Sequence, residues 1–504
     1  MTPLGKNGIR VQYSGFIIFA AKLVSVATGL TFQYMIARST TTQEYGVWFN
    51  VNDIFAYFTI LAGVLPFWIM RFAARNEKGA EKTGILANLT ISITATAVYV
   101  ALVPLMVSAL GVQEYLSLYM LVSLQIIELH MLNAFEACLQ AKKPQTLGYG
   151  LLIEEVCKII MGYAIIVKLQ KPLEGAIISI TVAIATQLLF YLKMLSKELK
   201  EKVNWVYIKE WLKGSVANVY SLLGNQIASF VFIMLFTYGG ENARGYYGAA
   251  AQIANIIAYS TFLAFALYPK LLAEKSSREV TASLKTVLMF AIPMTVGVLV
   301  MPDIYLSILS EEYSKAWLIL VILALDALTA TLSSVFSFVL YGLERFDEEA
   351  KISFKKLFKS KLFIAFSLPY IHSAITIPLT FYVITFYTQN QPIQSAVSVA
   401  IINSAARFAM FLILYAIVRR MDKVVIPWKN IAKYVFASVV MGVVLYGARE
   451  MFYPTRVYQI LGVTLIGGIC YLILTMVLDK DARALVRTIW QEIKNWQLKI
   501  HKNC

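Results

Sequence analysis

The amino-acid sequence predicts an all-α polytopic membrane protein with about 14 transmembrane helices, arranged as two parallel six-helix bundles (a 6+6 repeat) plus two C-terminal helices. The first supporting observation is composition: 59% of the 504 residues are hydrophobic, 15% are charged, and the mean hydropathy is +0.67. A soluble domain of this size must instead cover its surface with polar groups. The second is that apolar runs of about 20 residues, long enough to cross a bilayer core of ~30 Å, recur along the whole chain. The third is an internal repeat.

Each apolar run predicts one span, with bounds that the sequence places only to within a few residues. In order, the predicted spans are 11–36, 48–71, 85–109, 115–138, 147–169, 174–196, 215–238, 247–270, 285–307, 316–342, 362–387, 393–417, 431–451 and 457–478. The first run follows Lys6 and Arg10, but it is too long for the apolar part of a signal peptide, and no small-residue cleavage site follows it. We therefore expect it to be retained as the first helix.

The positive charge of the chain is distributed unevenly. There are 45 lysines and arginines against 29 aspartates and glutamates, a net charge of +16. If the N-terminus lies inside, most of the basic residues fall in the inner segments, which include 193–213, 345–361 and the C-terminal tail. This asymmetry predicts a multi-pass protein of the cell (plasma) membrane with both termini cytoplasmic. The charge is therefore a topology signal, and no nucleic-acid partner is expected.

Two stretches that lie far apart in the chain resemble each other. Tyr45–Tyr57 reads YGVWFNVNDIFAY and Tyr247–Tyr259 reads YGAAAQIANIIAY, an offset of 202 residues (247 minus 45). A proline follows each copy, Pro66 and Pro269. Each copy falls on the second span of its half, and six spans separate the copies, an even number that keeps both in the same orientation. The alternative is chance similarity between two apolar helices.

The repeat and the linker between the halves set the predicted domain bounds. In Glu201–Gly214, EKVNWVYIKEWLKG, the side chains of Trp205, Ile208 and Leu212 share one helical face flanked by lysines, which predicts an amphipathic helix at the inner membrane interface. The tail has the same character around Leu485. The predicted divisions are an N-terminal bundle 1–196, a cytoplasmic linker 197–214, a C-terminal bundle 215–417, the helix pair 431–478 and an amphipathic tail 479–504.

The opening segment resembles a known transporter family. A first helix that ends in Ala37-Arg38, followed by a short loop and Gln43-Glu44-Tyr45-Gly46, is similar to the polysaccharide-transport branch of the MOP exporter superfamily. That branch contains Wzx-like oligosaccharide flippases, and its relatives include lipid II flippases and MATE exporters. The resemblance implies two six-helix bundles around a central cavity with alternating access. It also implies transport of a glycan on a polyprenyl phosphate or pyrophosphate carrier.

Ionisable residues at membrane depth are the candidate site, because each costs about 2.5–3.5 kcal/mol when it faces lipid. They are Lys22, Asp53, Glu128, Glu154, Glu155, Lys158, Asp326 and Arg407. Lys22 and Arg407 lie near the middle of their spans, and neither has an acidic residue within four positions on its own helix. Each needs a carboxylate from another helix or an anionic ligand. We predict that Lys22, Arg407 and Lys158 bind a phosphate headgroup.

The carboxylates at this depth are predicted to balance charge or to couple transport to an ion: Glu128, Asp326, Glu154 and Asp53. Three alternatives without a role in transport stay open. Glu154 and Lys158, four residues apart, can form a purely structural pair. Asp53 lies close enough to the outer end of its span to reach water, and His130 is expected to be a hydrogen-bonded core residue.

The leading functional prediction is a flippase that moves a polyprenyl-(pyro)phosphate-linked oligosaccharide from the cytoplasmic to the outer leaflet. The alternative is a MATE-like exporter of organic cations coupled to H⁺ or Na⁺. A membrane glycosyltransferase would need a sizeable extramembrane loop, and a scaffold would leave the buried charges unexplained. No cofactor or metal is expected, because the four cysteines lack ligand spacing and there is no GxxxxGK[ST] motif. The expected partners are the lipid-linked oligosaccharide and membrane lipids; we expect a non-enzymatic monomer near glycan-assembly enzymes.

Overall fold

The computed structural model describes residues 11–264, 277–343, 361–421 and 424–484, together with residue 487. Within these ranges the chain is helical and contains no strand, which confirms the predicted all-α class. The predictions made for Lys6, Arg10, Pro269, segment 345–361 and the tail beyond Ala484 lie outside the described residues, apart from residues 361 and 487.

The helices of the described part begin and end as follows. The first nine are α1 Val11–Ser39, α2 Thr42–Phe58, α3 Val64–Ala74, α4 Ala80–Leu110, α5 Leu116–Lys142, α6 Gln145–Gly162, α7 Pro172–Met194, α8 Val206–Gly214 and α9 Val216–Ala228. The next nine are α10 Phe230–Gly239, α11 Glu241–Ala258, α12 Ser277–Val300, α13 Pro302–Leu309, α14 Trp317–Leu343, α15 Lys361–Phe386, α16 Pro392–Met421, α17 Trp428–Phe452 and α18 Val457–Leu478.

Many of these helices are suited to cross a bilayer. Across the described ranges, 10 helices are long and apolar enough to span it, or up to 11 if the bent pair formed by α2 and α3 counts as one span. The chain is therefore a polytopic membrane protein, as predicted, whereas the count of 14 spans stays a prediction. The C-terminal pair matches closely: segment 457–478 was predicted and α18 has those bounds.

The predicted span 48–71 is broken rather than continuous. It begins earlier, at Thr42, because Thr41 and Glu44 form a capping box: the Thr41 hydroxyl accepts from the Glu44 amide at 3.2 Å, and the Glu44 carboxylate accepts from the Thr41 amide at 2.8 Å. A 3₁₀ turn, Ile60–Gly63, then separates α2 from α3, and the two helices are bent by 56°. An apolar run shows hydrophobicity but not where a helix bends.

The two copies of the repeat adopt the same local structure. The first forms α2 followed by the 3₁₀ turn at Ile60–Gly63, and the second forms α11 followed by a 3₁₀ turn at Tyr259–Ala264. Pro66 lies within α3. This likeness argues against chance similarity of the two stretches, while the 6+6 domain bounds stay a prediction.

The predicted linker helix exists as α8, Val206–Gly214, and packs on the protein through a residue outside the predicted apolar face. Trp211 is fully buried and contacts Phe72, with ring centroids 5.4 Å apart, and Ser215 accepts a hydrogen bond from Trp68 Nε1 at 2.9 Å. Trp205 and Leu212 are exposed on the protein, as side chains that meet the membrane interface would be. Trp211, which the sequence did not single out, holds α8 to α3.

Contacts divide the described residues into two compact units. One unit takes in Met1–Gly248 and Glu349–Val399, and the other takes in Ala249–Glu348 and Ala400–Cys504. In the first, an apolar core is centred on Leu65, Trp68 and Trp211. In the second unit, Met301 and Met441 belong to an apolar core that includes side chains of α17 and α18.

Candidate functional site

Arg407 on α16 forms an ion pair with Asp326 on α14. The Nη1 of Arg407 donates to Oδ2 of Asp326 at 2.8 Å. The arginine side chain is 38% exposed and the aspartate 7%, so the cation is accessible while its counter-ion is buried. The second carboxylate oxygen, Oδ1, is buried and accepts no hydrogen bond within the described residues. The structure thus brings together two residues predicted for different roles, headgroup binding and charge balancing.

A second polar group joins α1 to α6, and we call it the α1–α6 cluster: Ser25, Thr28, Glu154, Glu155 and Lys158. Lys158 Nζ lies 2.8 Å from Glu155 and 3.4 Å from Glu154, so the predicted pairing with Glu154 is confirmed but is the longer contact. The hydroxyls of Ser25 and Thr28 each donate to Glu155 at 2.6 Å. One carboxylate therefore receives three donors from two helices, which holds α1 against α6.

Lys22 precedes Ser25 on α1, and its charge acts on a carboxylate that also interacts with the cluster. Its side chain is exposed, and its charge interacts with that of Glu136 on α5, which also interacts with Glu154. Sequence reasoning missed Glu136, because it lies close to the end of the predicted span 115–138, where a carboxylate could reach water. Together with Glu136, the cluster and Lys22 hold three carboxylates and two lysines.

Glu128 and His130 lie near each other on α5 but have different environments. Glu128 is half-buried, and its Oε2 atom is buried without a hydrogen-bond partner among the described residues. His130 is fully buried, and its Nδ1 lies 2.8 Å from the carbonyl oxygen of Ile126. This contact confirms the expectation that His130 is a hydrogen-bonded core residue.

Asp53 forms an ion pair while 14% of its side chain is exposed, so the alternative that it reaches water stays a prediction. Arg244 on α11 donates from Nε and Nη2 to the two Asp53 oxygens, at 2.7 and 2.9 Å. The guanidinium also lies over the rings of Phe49 and Phe232, 4.7 and 5.1 Å from their centroids. Sequence reasoning missed Arg244, although it lies three residues before the second repeat copy.

The pairing of α2 with α11 depends on two glycines. A Cβ atom on Gly46 would overlap the backbone carbonyl of Glu241, and one on Gly245 would overlap that of Thr42. The two backbones therefore touch, which small residues alone permit between helices. The Tyr-Gly pair at positions 45 and 46 was visible in the sequence, but its close approach to another helix was not.

Of these arrangements, the Arg407–Asp326 pair is the one suited to binding an anion. The Arg407 guanidinium donates one hydrogen bond to Asp326, and its other N–H groups can donate to a phosphate. In the described ranges, no group of three or more His, Cys, Asp and Glu side chains could hold a metal ion.

Comparisons by sequence give no relative: no family model and no curated protein matches this chain. Comparisons by structure give several similar proteins. The lipid II flippase MurJ, in an inward closed conformation, is 16% identical with a TM-score of 0.65, covering 94% of this chain and 100% of that chain. An inward-facing multidrug resistance MATE family transporter of the MOP superfamily is 14% identical with a TM-score of 0.57, covering 80% of this chain and 96% of that chain.

A MOP superfamily transporter from Pyrococcus furiosus is similar as well, at 12% identity and a TM-score of 0.53, with 83% of this chain and 99% of that chain covered. Identities this low establish the fold and nothing finer. The chain thus has the fold of these transporters, which confirms the resemblance stated for residues 37–46 at that level. Membership of the polysaccharide-transport branch stays a prediction.

Proposed function

We propose that this chain is a flippase that moves a polyprenyl-(pyro)phosphate-linked oligosaccharide from the cytoplasmic to the outer leaflet by alternating access, for cell-surface polysaccharide or glycoprotein assembly. The fold shared with a lipid II flippase supports a lipid-linked substrate. The observation that carries the proposal is the Arg407–Asp326 pair, in which an accessible guanidinium is balanced by a buried carboxylate.

In this proposal Asp326 neutralises Arg407 while the site is empty. An arriving phosphate competes with the carboxylate for the guanidinium, whose planar set of donors matches phosphate in a bidentate manner. Lys22 and Lys158 stay candidate headgroup-binding residues of the first unit. Outward movement of the anionic headgroup is then assisted by a potential that is negative inside, at about 2.3 kcal/mol per charge per 100 mV.

Ion coupling is assigned to the carboxylates of the first unit. With Glu136, the α1–α6 cluster and Lys22 hold one carboxylate more than they hold lysines. An excess negative charge at membrane depth favours uptake of H⁺ or Na⁺. Glu128, with its unpartnered oxygen, is the other candidate for this role.

The same excess of carboxylates favours a second candidate function, the MATE-like exporter of organic cations coupled to H⁺ or Na⁺. Similarity to MATE transporters agrees with it. The accessible Arg407 argues for the flippase instead, because its remaining N–H donors can bind a phosphate but not an organic cation.

The experiment is transport in proteoliposomes that contain a fluorescent polyprenyl-pyrophosphate-linked oligosaccharide or, separately, an organic cation dye. Arg407→Ala should abolish or strongly reduce flipping of the glycolipid. Arg449→Ala is the matched control, because Arg449 pairs with Asp303 at 2.9 Å in the same unit but at the end of α17. Cation export without glycolipid flipping in the wild-type protein would establish the second function. Wild-type flipping in Arg407→Ala would refute the proposed site.

A further inference from the structure

An apolar groove runs between α6 and α7, away from the candidate site. Its volume is about 510 Å³, and it is lined by six α6 residues between Leu152 and Met161 together with Thr186 of α7. Val156 and Ile160 line it and are 55% and 61% exposed. Because Glu155 and Lys158 face α1, on the other side of α6, the groove belongs to the surface that meets lipid.

Lys168, in the segment that follows α6, lies beyond one end of the groove. A π-helical segment, Tyr163–Lys168, follows α6, with the Leu169 amide donating to the Ala164 carbonyl at 3.1 Å. In an α-helix, residues five apart point about 140° away from each other. The wider π turn instead brings Lys168 over Tyr163, with Nζ 5.7 Å from the ring centroid.

Tyr163 continues the face of the groove. It follows Val156 and Ile160 at helical spacing, and it is 50% exposed. Lys168 is also exposed and forms no ion pair within the described residues. A tyrosine and an unpaired lysine at the end of a membrane helix mark the headgroup level of the bilayer. The apolar groove therefore ends near the positive charge of Lys168.

We propose that this groove binds one acyl chain of an anionic glycerophospholipid, with the lipid phosphate held at Lys168. Met161, at the near end of the groove, lies two residues before Tyr163, and the Lys168 ammonium lies beyond Met161, over the Tyr163 ring and 5.7 Å from its centroid. That distance leaves room for the glycerol and ester groups between the phosphate and the acyl chain. The positive charge selects an anionic headgroup over a zwitterionic one, and the second acyl chain stays in the bilayer.

The test is photo-crosslinking of the full-length protein in proteoliposomes that contain phosphatidylglycerol or phosphatidylcholine, each with a diazirine on one acyl chain. Mass spectrometry then measures labelling of the peptide that contains Leu152–Met161. Phosphatidylglycerol should label this peptide about fivefold more than phosphatidylcholine, the preference that one lysine near a membrane surface supplies. Lys168→Ala should remove the preference. Ile160→Trp, which fills the groove, should lower labelling by both lipids.

The matched control is Lys315→Ala, because Lys315 is an exposed lysine that pairs with Glu312 and is distant from α6 in the chain. This variant should retain the full preference. Equal labelling by the two lipids in the wild-type protein, or a preference that survives Lys168→Ala, would overturn the proposal. Displacement by polyprenyl phosphate rather than by unlabelled phosphatidylglycerol would assign the groove to the carrier lipid and overturn it too. None of these readouts depends on transport, so they are independent of the proposed function.

Discussion

Arg407 and Asp326 are joined by a 2.8 Å hydrogen bond between α16 and α14, and only the arginine is accessible. The carboxylate keeps one buried oxygen without a partner among the described residues. An ion pair built in this way holds a cation ready for a competing anion, because the ligand needs to displace a single hydrogen bond.

Asp326→Asn should therefore tighten binding of the headgroup and slow turnover. Removing the competing anion leaves Arg407 free for phosphate, and one charged hydrogen bond of about 1.5 kcal/mol corresponds to roughly tenfold in affinity. The measurement is binding of polyprenyl pyrophosphate-linked glycan beside its flipping rate in proteoliposomes. Asp303→Asn, which frees Arg449, is the control and should change neither quantity. Unchanged binding in Asp326→Asn would show that the carboxylate does not compete with the ligand.

Glu136→Gln should reduce the response of transport to an imposed H⁺ or Na⁺ gradient, because it removes the excess carboxylate beside Lys22. Headgroup binding should persist. Glu128→Gln tests the same role at the second position, where a buried oxygen has no partner among the described residues. The measurement is the flipping rate with and without the gradient. Wild-type rates that respond equally to the gradient in both variants would exclude both carboxylates from coupling.

Arg244→Ala should destabilise the protein by up to about 3–5 kcal/mol, because it leaves Asp53 charged, partly buried and without its bidentate partner. The double variant Asp53→Asn/Arg244→Met should recover much of that loss, since no uncompensated charge remains. Thermal unfolding in detergent measures both, with Lys315→Ala as a surface control. A single variant as stable as the control would mean that water compensates Asp53 after all.

Cys504 tests the predicted orientation, because it is the last residue of a tail expected to be cytoplasmic. An impermeant thiol reagent should label it only after the inner face of the membrane is opened. The comparison is between intact cells and inverted vesicles, in a variant whose other three cysteines are replaced by serine. Labelling of Cys504 in intact cells would reverse the whole topology.

The sequence predicted what hydrophobic length and charge determine. The all-α class and the bounds of α18 follow from apolar runs. The capping box at Thr41 and Glu44, which starts α2 before the predicted bound at residue 48, was not predicted, and neither was the break between α2 and α3, because an apolar run does not show where a helix bends. The burial of Trp211 was not predicted either, because it depends on the tertiary contact of α8 with α3.

The candidate site was predicted as a set of residues, with the contact between Glu154 and Lys158 as the one pair named from the sequence. Chemistry and depth identified Lys22, Lys158, Asp326 and Arg407, because ions within the membrane are costly. Which carboxylate meets which cation depends on helix packing: Asp326 meets Arg407, whereas Glu136 rather than Glu128 interacts with Lys22. Arg244 was missed because it lies near the start of a helix, where the sequence alone suggests contact with water.

The central claim is that the chain moves a lipid-linked oligosaccharide, and depletion of the protein followed by mass spectrometry of the cell's lipids tests it most directly. The account predicts that a polyprenyl-(pyro)phosphate-linked oligosaccharide accumulates, and that wild-type protein but not Arg407→Ala reverses the accumulation. If no lipid-linked glycan accumulates while an organic cation dye is retained in the depleted cells, the claim is contradicted and the exporter function takes its place.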